Sequence, residues 1–306
     1  APQGGEEEIQ ALREVIESGW WGKGPKVAQF EEEFAKMVGH KYAIAVTSAS
    51  HGQDLVMKAM GWKGIDVINP AISFIATINS VIYNFGSPIF MDIDDHFNLD
   101  VEKTIKFLKT NTFRKNGFTY NKKTKKIIKA IVIAHIFGNP ANVQKLKRVT
   151  KNMNIKIVED AAESLGSYHL KNNKKIHTGT LGDFGCISFN GNKIITSGGG
   201  GIILVNNRQI EKKIRYIINQ SKDDILYYKH HNLGFNMSMT NLHGSIGFSQ
   251  LKKLDEVIKA KSKINSYYEN NIKKINGLKI TRCPSNTRSN FWLNILEIDT
   301  RVYGRS

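Results

Sequence analysis

The chain has 306 residues, 41% of them apolar, only six prolines, and a net charge of +17. That length and apolar share carry a full core and about two domains, and they exclude long disorder. The two cysteines, Cys186 and Cys283, exclude a disulfide framework, and no apolar run reaches the roughly 18 residues of a membrane span, so a cytoplasmic protein without a membrane partner is expected.

The chain opens with Ala1-Pro-Gln-Gly-Gly and passes at once into a charged helical pattern over Glu6–Ser18, with no apolar signal core. A glycine-rich turn over Gly19–Gly24 leads to a second helix, Val27–Val38. The strand Lys41–Val46 feeds Thr47-Ser-Ala-Ser-His51 and a helix over Gly52–Met60. Strands at Asp66–Asn69 and Ser87–Met91 flank a helix at Phe74–Tyr83; a helix at Val101–Lys109 precedes a strong central strand, Ile127–Ala134. Helix Val143–Asn152 and strand Ile155–Val158 complete an alternation that predicts a mainly parallel sheet covered by helices. The periodic stretch Leu242–Asn276 is expected to cross to a smaller domain, with a strand at Phe291–Ile298. Lysines mix with asparagines in Lys109–Lys129, Lys145–Lys156, Lys171–Lys175 and Lys261–Lys279, a bias spread along the chain without any zinc-finger, basic-zipper or RNA-binding aromatic motif. A nucleic-acid partner is not expected, although such charge favours anionic ligands.

In the sheet so predicted, polar clusters follow apolar strands and so share the carboxyl rim, where ligands of open α/β folds bind. Lys193 lies in Ser188-Phe-Asn-Gly-Asn-Lys193, just ahead of four glycines that permit sharp turning or close approach to a ligand. A crowded lysine amine there is a candidate Schiff-base former, because desolvation leaves more of it uncharged; the alternative is a surface lysine in a flexible loop. Asp160 closes the strand Ile155-Lys-Ile-Val-Glu-Asp160 and precedes the small residues of an expected helix start, so it is either a site carboxylate or a helix cap. Ser48 and Ser50 are open to the same two readings. Periodic apolar neighbours at Ile75, Ile78 and Ile82 would ordinarily make Phe74 a core residue.

Taken in order, Ser18-Gly-Trp-Trp-Gly-Lys-Gly24-Pro25, Asn69-Pro-Ala-Ile-Ser-Phe-Ile-Ala-Thr77, His135-Ile-Phe-Gly138, Glu159-Asp-Ala-Ala-Glu163, Ser188-Phe-Asn-Gly-Asn-Lys193 and Gly234-Phe-Asn-Met-Ser-Met-Thr-Asn241 give the chain a close likeness to one family. From about Gly19 to Asn290 it resembles the DegT/DnrJ/StrS-type pyridoxal-phosphate-dependent aminotransferases that act on keto-sugars of nucleotide diphosphates. The resemblance implies the type I aminotransferase fold, an α/β architecture with a mainly parallel seven-stranded sheet sandwiched by helices. It also implies a large cofactor domain over 1–235 with an N-terminal helical arm and a small C-terminal α/β domain over 236–306. The implied cofactor is pyridoxal 5′-phosphate, with Lys193 as the Schiff-base lysine that also moves the proton, Asp160 paired to the pyridine nitrogen, and Phe74 stacked on the ring. Glu163 stands near the ring at a position that varies, while Ser188 and the segment Ser48-Ala49-Ser50 fall where relatives bind the phosphate. His135 is expected to be structural. Asn236 matches the residue that reaches the neighbouring subunit's cofactor phosphate, which implies a homodimer with shared active sites. Glutamate as donor and a 4-keto-6-deoxy nucleotide sugar as acceptor are implied in the same way.

The chain departs from the resembled pattern at three places. Ala49 replaces a glycine of the phosphate turn, Ser238 replaces an arginine and so loses a fixed bidentate cation, and Arg305-Ser306 falls short of where relatives continue, so the small domain is expected to be incomplete. These departures leave a weak or non-catalytic homologue of the fold as an alternative. A related sugar dehydratase, which uses histidine in place of the Schiff-base lysine, is disfavoured by Lys193.

Overall fold

A computed structural model describes residues 2–224 and 226–304; Arg305 and Ser306, on which the expectation of an incomplete small domain rests, lie outside the described residues. In chain order the first half holds α1 (Glu6–Ser18), α2 (Pro25–Val38), β1 (Tyr42–Val46), α3 (Ala49–Ala59), β2 (Asp66–Pro70), α4 (Ile75–Tyr83), β3 (Ser87–Met91), α5 (Val101–Thr110), β4 (Thr112–Lys115), β5 (Phe118–Asn121), β6 (Ile128–Ala134) and α6 (Val143–Thr150). The second half continues with β7 (Lys156–Asp160), β8 (Tyr168–Lys171), β9 (Lys174–His177), β10 (Phe184–Ser188), β11 (Gly201–Val205), α7 (Arg208–Ile218), α8 (Asn241–Leu251), α9 (Leu254–Ile272), β12 (Leu278–Ile280), β13 (Thr287–Arg288), β14 (Leu296–Ile298) and α10 (Thr300–Tyr303).

Seven strands form the main sheet in the order β1-β11-β10-β7-β6-β2-β3. All but β11 run the same way, as β11 pairs antiparallel with both β1 and β10 while the remaining pairings are parallel. Its strands are apolar on both faces because helices cover both. Ile44, Val46, Ala130, Val132, Val158, Cys186 and Ile203 point into one core, together with Val56 of α3 and Ile214 of α7. The alternate residues point the other way: Ala43, Ala45, Ile187, Ile202 and Leu204 pack with Phe30, Phe34 and Phe189, and Ile131, Ile133 and Ile157 pack with Leu108 and Leu146. Phe30, Phe34 and Phe189 meet edge to face with centroids 5.0–6.1 Å apart, the arrangement their quadrupoles favour.

The periodic stretch expected over Leu242–Asn276 divides into α8 and α9. α8 buries Gly244 and Gly247 against α2, where a Cβ on Gly247 would lie 2.9 Å from the Phe30 ring. Just beyond position 235 the chain is still bonded to elements of the large domain: Met237 N donates to Ile218 O of α7 and Met239 N to Ala45 O of β1. Strand β12 pairs with β14, whereas β13 pairs with β8 of the hairpin β8–β9. The strand expected over Phe291–Ile298 is confined to Leu296–Ile298, and Phe291 is in the left-handed region at φ 53°. Among the described residues no helix is long and apolar enough to cross a membrane.

Candidate active site

Strand register creates the site. Ala134 of β6, Asp160 of β7 and Cys186 of β10 occupy one row, and Val46, Ser188 and Gly201 occupy another at the same end of the sheet. The loops that leave this rim surround a cavity of about 240 Å³. Ser48, Ala49 and Ser50 line it at the start of α3, Asp160 and Ser188 line it from the ends of β7 and β10, and Phe74, Glu163 and Lys193 line it from loops. Eight of the nine residues expected in the site are thereby brought together. Asn236 is exposed, makes a backbone bridge to Asn219, and is not on this wall.

Asp160 is held at both oxygens. Oδ2 accepts from Thr77 Oγ1 at 2.5 Å and Oδ1 from Ala162 N at 3.1 Å, so the carboxylate has one fixed orientation. The helix start expected after it does not form: residues 161–166 make turns, and the bond to Ala162 is an Asx turn rather than a helix cap. Beside it Glu159 is wholly buried and accepts from His135 Nε2 at 2.9 Å, from Gly179 N at 2.8 Å and from Gly182 N. Burial pushes its carboxyl up, but these donors outweigh burial and hold it below the usual carboxylate range. Because His135 Nδ1 accepts from Ala141 N, its proton sits on the nitrogen facing Glu159, and the imidazole acts as a brace between the ends of β6 and β7.

Lys193 is aimed by its neighbours. Ile194 and Ile195 are buried in the core with Phe189, and Lys193 N donates to Asn190 O, so the loop is anchored on both sides of the amine. Its side chain is only 11% exposed; Nζ lies 4.0 Å from the centre of the Trp292 ring and 3.9 Å from Glu163 Oε1. Burial pushes the amine below the ordinary lysine range, while Glu163 and Asp160 pull it back up. Burial also raises the Glu163 carboxyl, against the bond that its Oε2 accepts from Phe137 N at 2.7 Å. Trp292 is fixed in turn: its Nε1 donates to Asn192 O, and Asn290 Nδ2 donates to Glu163 O and Leu165 O. Neither Thr77 nor Trp292 carries a direct signal of its role in the sequence, because their partners are distant along the chain.

At the other wall, Ser48 caps α3, its Oγ accepting from His51 N at 3.1 Å. Capping and site-lining are both satisfied, since the first amides of α3 and the Ser50 hydroxyl lie at the positive end of the helix dipole beside the cavity. Ala49 has ordinary helical backbone as the first residue of α3, so the turn has no need of the glycine it replaces. The glycine that matters stands opposite: a Cβ on Gly201 would lie 2.5 Å from Ala49 N. Phe74 is 66% exposed at the N-cap of α4 and is therefore not the core residue its periodic neighbours suggest; its ring centre is 6.0 Å from Lys193 Nζ. Ser238, which departs from the arginine of the resembled pattern, turns its hydroxyl back onto Ile218 O.

This wall chemistry matches a flat, phosphorylated aldehyde with a basic ring nitrogen. A helix N-terminus with two hydroxyls suits the phosphate, a braced carboxylate suits the protonated ring nitrogen, and an amine whose proton affinity burial lowers suits the aldehyde.

Comparison with known proteins agrees with that geometry. A family model for the DegT/DnrJ/EryC1/StrS aminotransferase family matches residues 2–305. The chain is similar to the spore coat polysaccharide biosynthesis protein SpsC of Bacillus subtilis, 31% identical over 98% of this chain and 75% of that protein. It is likewise 32% identical to the GDP-perosamine synthase of Caulobacter vibrioides, over 92% of this chain and 71% of the synthase. The solved structure of the aminotransferase TlmJ from Streptoalloteichus hindustanus superposes with a TM-score of 0.87 at 25% identity, covering 98% of this chain and 78% of that one. The chain belongs to the DegT/DnrJ/EryC1/StrS aminotransferase family, and its sheet is that of the type I aminotransferase fold.

Proposed function

We propose that the chain moves an amino group from glutamate to the keto carbon of a nucleoside-diphosphate sugar, with Lys193 as the residue that changes partner and carries the proton. Pyridoxal 5′-phosphate is the cofactor. When bound, it supplies an aldehyde that takes up the amino group and a protonated ring that accepts the electron pair released at the neighbouring carbon. The observation that carries the reading is the buried Lys193 amine sharing one cavity with the doubly held Asp160 carboxylate.

The residues divide the work. Lys193 Nζ would hold the cofactor and, when free, would act as base and acid at carbon within its reach, a task suited to an amine pushed below its usual range. Asp160, with no freedom at either oxygen, keeps the ring nitrogen protonated. Ser48, the amide of Ala49, Ser50 and Ser188 would hold the phosphate, Phe74 would cover the ring, and Glu163 lies beside the Lys193 amine. A net charge of +17 favours an anionic nucleotide sugar. Ser238 supplies no cation for the donor carboxylate, but Lys23 bonds the side chain of Asn219, whose backbone bridges to Asn236, and so brings a positive charge to that segment.

Incubating the cofactor-loaded protein with glutamate and a panel of nucleoside-diphosphate keto-sugars, and following the products by mass, tests the reading. An amino sugar is expected with at least one 4-keto-6-deoxy acceptor. If glutamate fails to convert the bound cofactor and no acceptor is aminated, the chain is not this enzyme.

Asp160→Ala is expected to slow the half-reaction with glutamate at least about tenfold, or about 1.4 kcal/mol of transition-state stabilisation, because the ring nitrogen then loses its proton. Single-turnover spectra of a correctly folded variant measure it. An unchanged rate would leave Asp160 only its bonds to Thr77 and Ala162.

A further inference from the structure

Gln53 sits one turn into α3, beyond the residues that line the cavity at the helix start, and it lines the same cavity. Its side chain is 2% exposed, yet Oε1 has no hydrogen-bond partner among the described residues. Its neighbours on the helix are not so placed. Asp54 is paired with Lys58 and Asn84, His51 Nδ1 with Thr47 Oγ1, and Leu55, Val56 and Met57 are apolar and buried. Five buried polar atoms lack partners among the described residues, and Gln53 Oε1 is the one whose residue lines the catalytic cavity.

A buried amide oxygen without a partner destabilises the fold, and a straight apolar chain of the same length would fill the position without that cost. Such a group in a native protein calls for a partner that the chain itself does not supply. We propose that Gln53 is a further cofactor-holding residue, its carboxamide hydrogen-bonding a polar atom of bound pyridoxal 5′-phosphate directly or through one water fixed between them. The assignment rests on reading this cavity as the cofactor site.

Gln53→Met keeps the length and flexibility of the side chain and removes the amide; Gln53→Leu is the second variant. Each is freed of cofactor, its thermal midpoint is measured, and pyridoxal 5′-phosphate is titrated back by fluorescence. The expected result is a cofactor-free midpoint at or above that of the unsubstituted protein, with a dissociation constant raised about five- to tenfold, the size of one lost hydrogen bond. At saturating cofactor, borohydride should still fix the adduct to Lys193 in both variants. An unchanged dissociation constant overturns the proposal. So does a lower cofactor-free midpoint in both variants, because the amide would then have a structural partner without the cofactor. Absence of the Lys193 adduct in the unsubstituted protein is a different result, which removes the cofactor site and this assignment with it.

Discussion

Lys193→Ala is expected to abolish the visible band of the lysine-bound cofactor and to lower turnover by about 10²–10⁴-fold, the span that positioned acid–base groups contribute. In the unsubstituted protein, borohydride should fix the cofactor to a peptide containing Lys193, and in the variant to none. Two features make this lysine stand apart from the other lysines of the chain. Its amine is nearly enclosed, and the enclosing groups are Trp292 and Glu163 rather than solvent. Burial lowers its proton affinity, so the free amine persists to lower pH than an ordinary lysine allows, and adduct formation at Lys193 should extend correspondingly lower than modification of surface lysines. A peptide map in which borohydride labels some other lysine after saturation would remove the proposed chemistry.

Much of the sheet was legible because its strands obey simple rules. The apolar run over Ile128–Ala134 and the acidic close of β7 announce buried parallel strands with their chemistry at the carboxyl rim, and the register then aligns Ala134 with Asp160. The hairpin β8–β9 was missed although Asn172-Asn173 advertises it, since both asparagines take positive φ as a two-residue turn of type I′ requires. Helix α7 was missed as well, although Ile210, Ile214 and Ile217 recur on one face and pack on the core. The contacts that tune the site were harder to read. Thr77 is masked by the isoleucines around it and reaches Asp160 across 83 positions, and the bond from Trp292 Nε1 to Asn192 O spans 100 positions. Such contacts follow from how loops close over the rim, which the period of a pattern does not encode. Gln53 differs in kind, because it places an amide on the α3 face that otherwise carries Ala49, Val56 and Met57.

Mixing Lys193→Ala protein with Asn236→Ala protein is expected to restore activity that neither has alone. Phe74 lines the cavity while two-thirds exposed, and Ile75, Ile82, Tyr83 and Phe85 continue an exposed apolar surface from it. A surface of that kind beside a site is suited to burial against a second copy of the chain. Asn236 lies off the cavity wall of its own chain, and we propose, from its likeness to the family's phosphate-reaching asparagine, that it serves the partner's site. In a heterodimer of the two variants one composite site then carries both defects, while the other combines an intact Lys193 with an intact Asn236. Each heterodimer should show about half of the unsubstituted activity, and a freely exchanged equal mixture about a quarter, because about half of its dimers are heterodimers. The measurement needs subunit exchange shown independently, for instance by mass-tagged chains, and a folded Lys193→Ala partner. If exchange is complete and activity stays at the level of the separate variants, Asn236 serves its own chain's site or none, and the shared-site dimer fails. If the Asn236→Ala protein alone keeps full activity, Asn236 has no part in holding the phosphate.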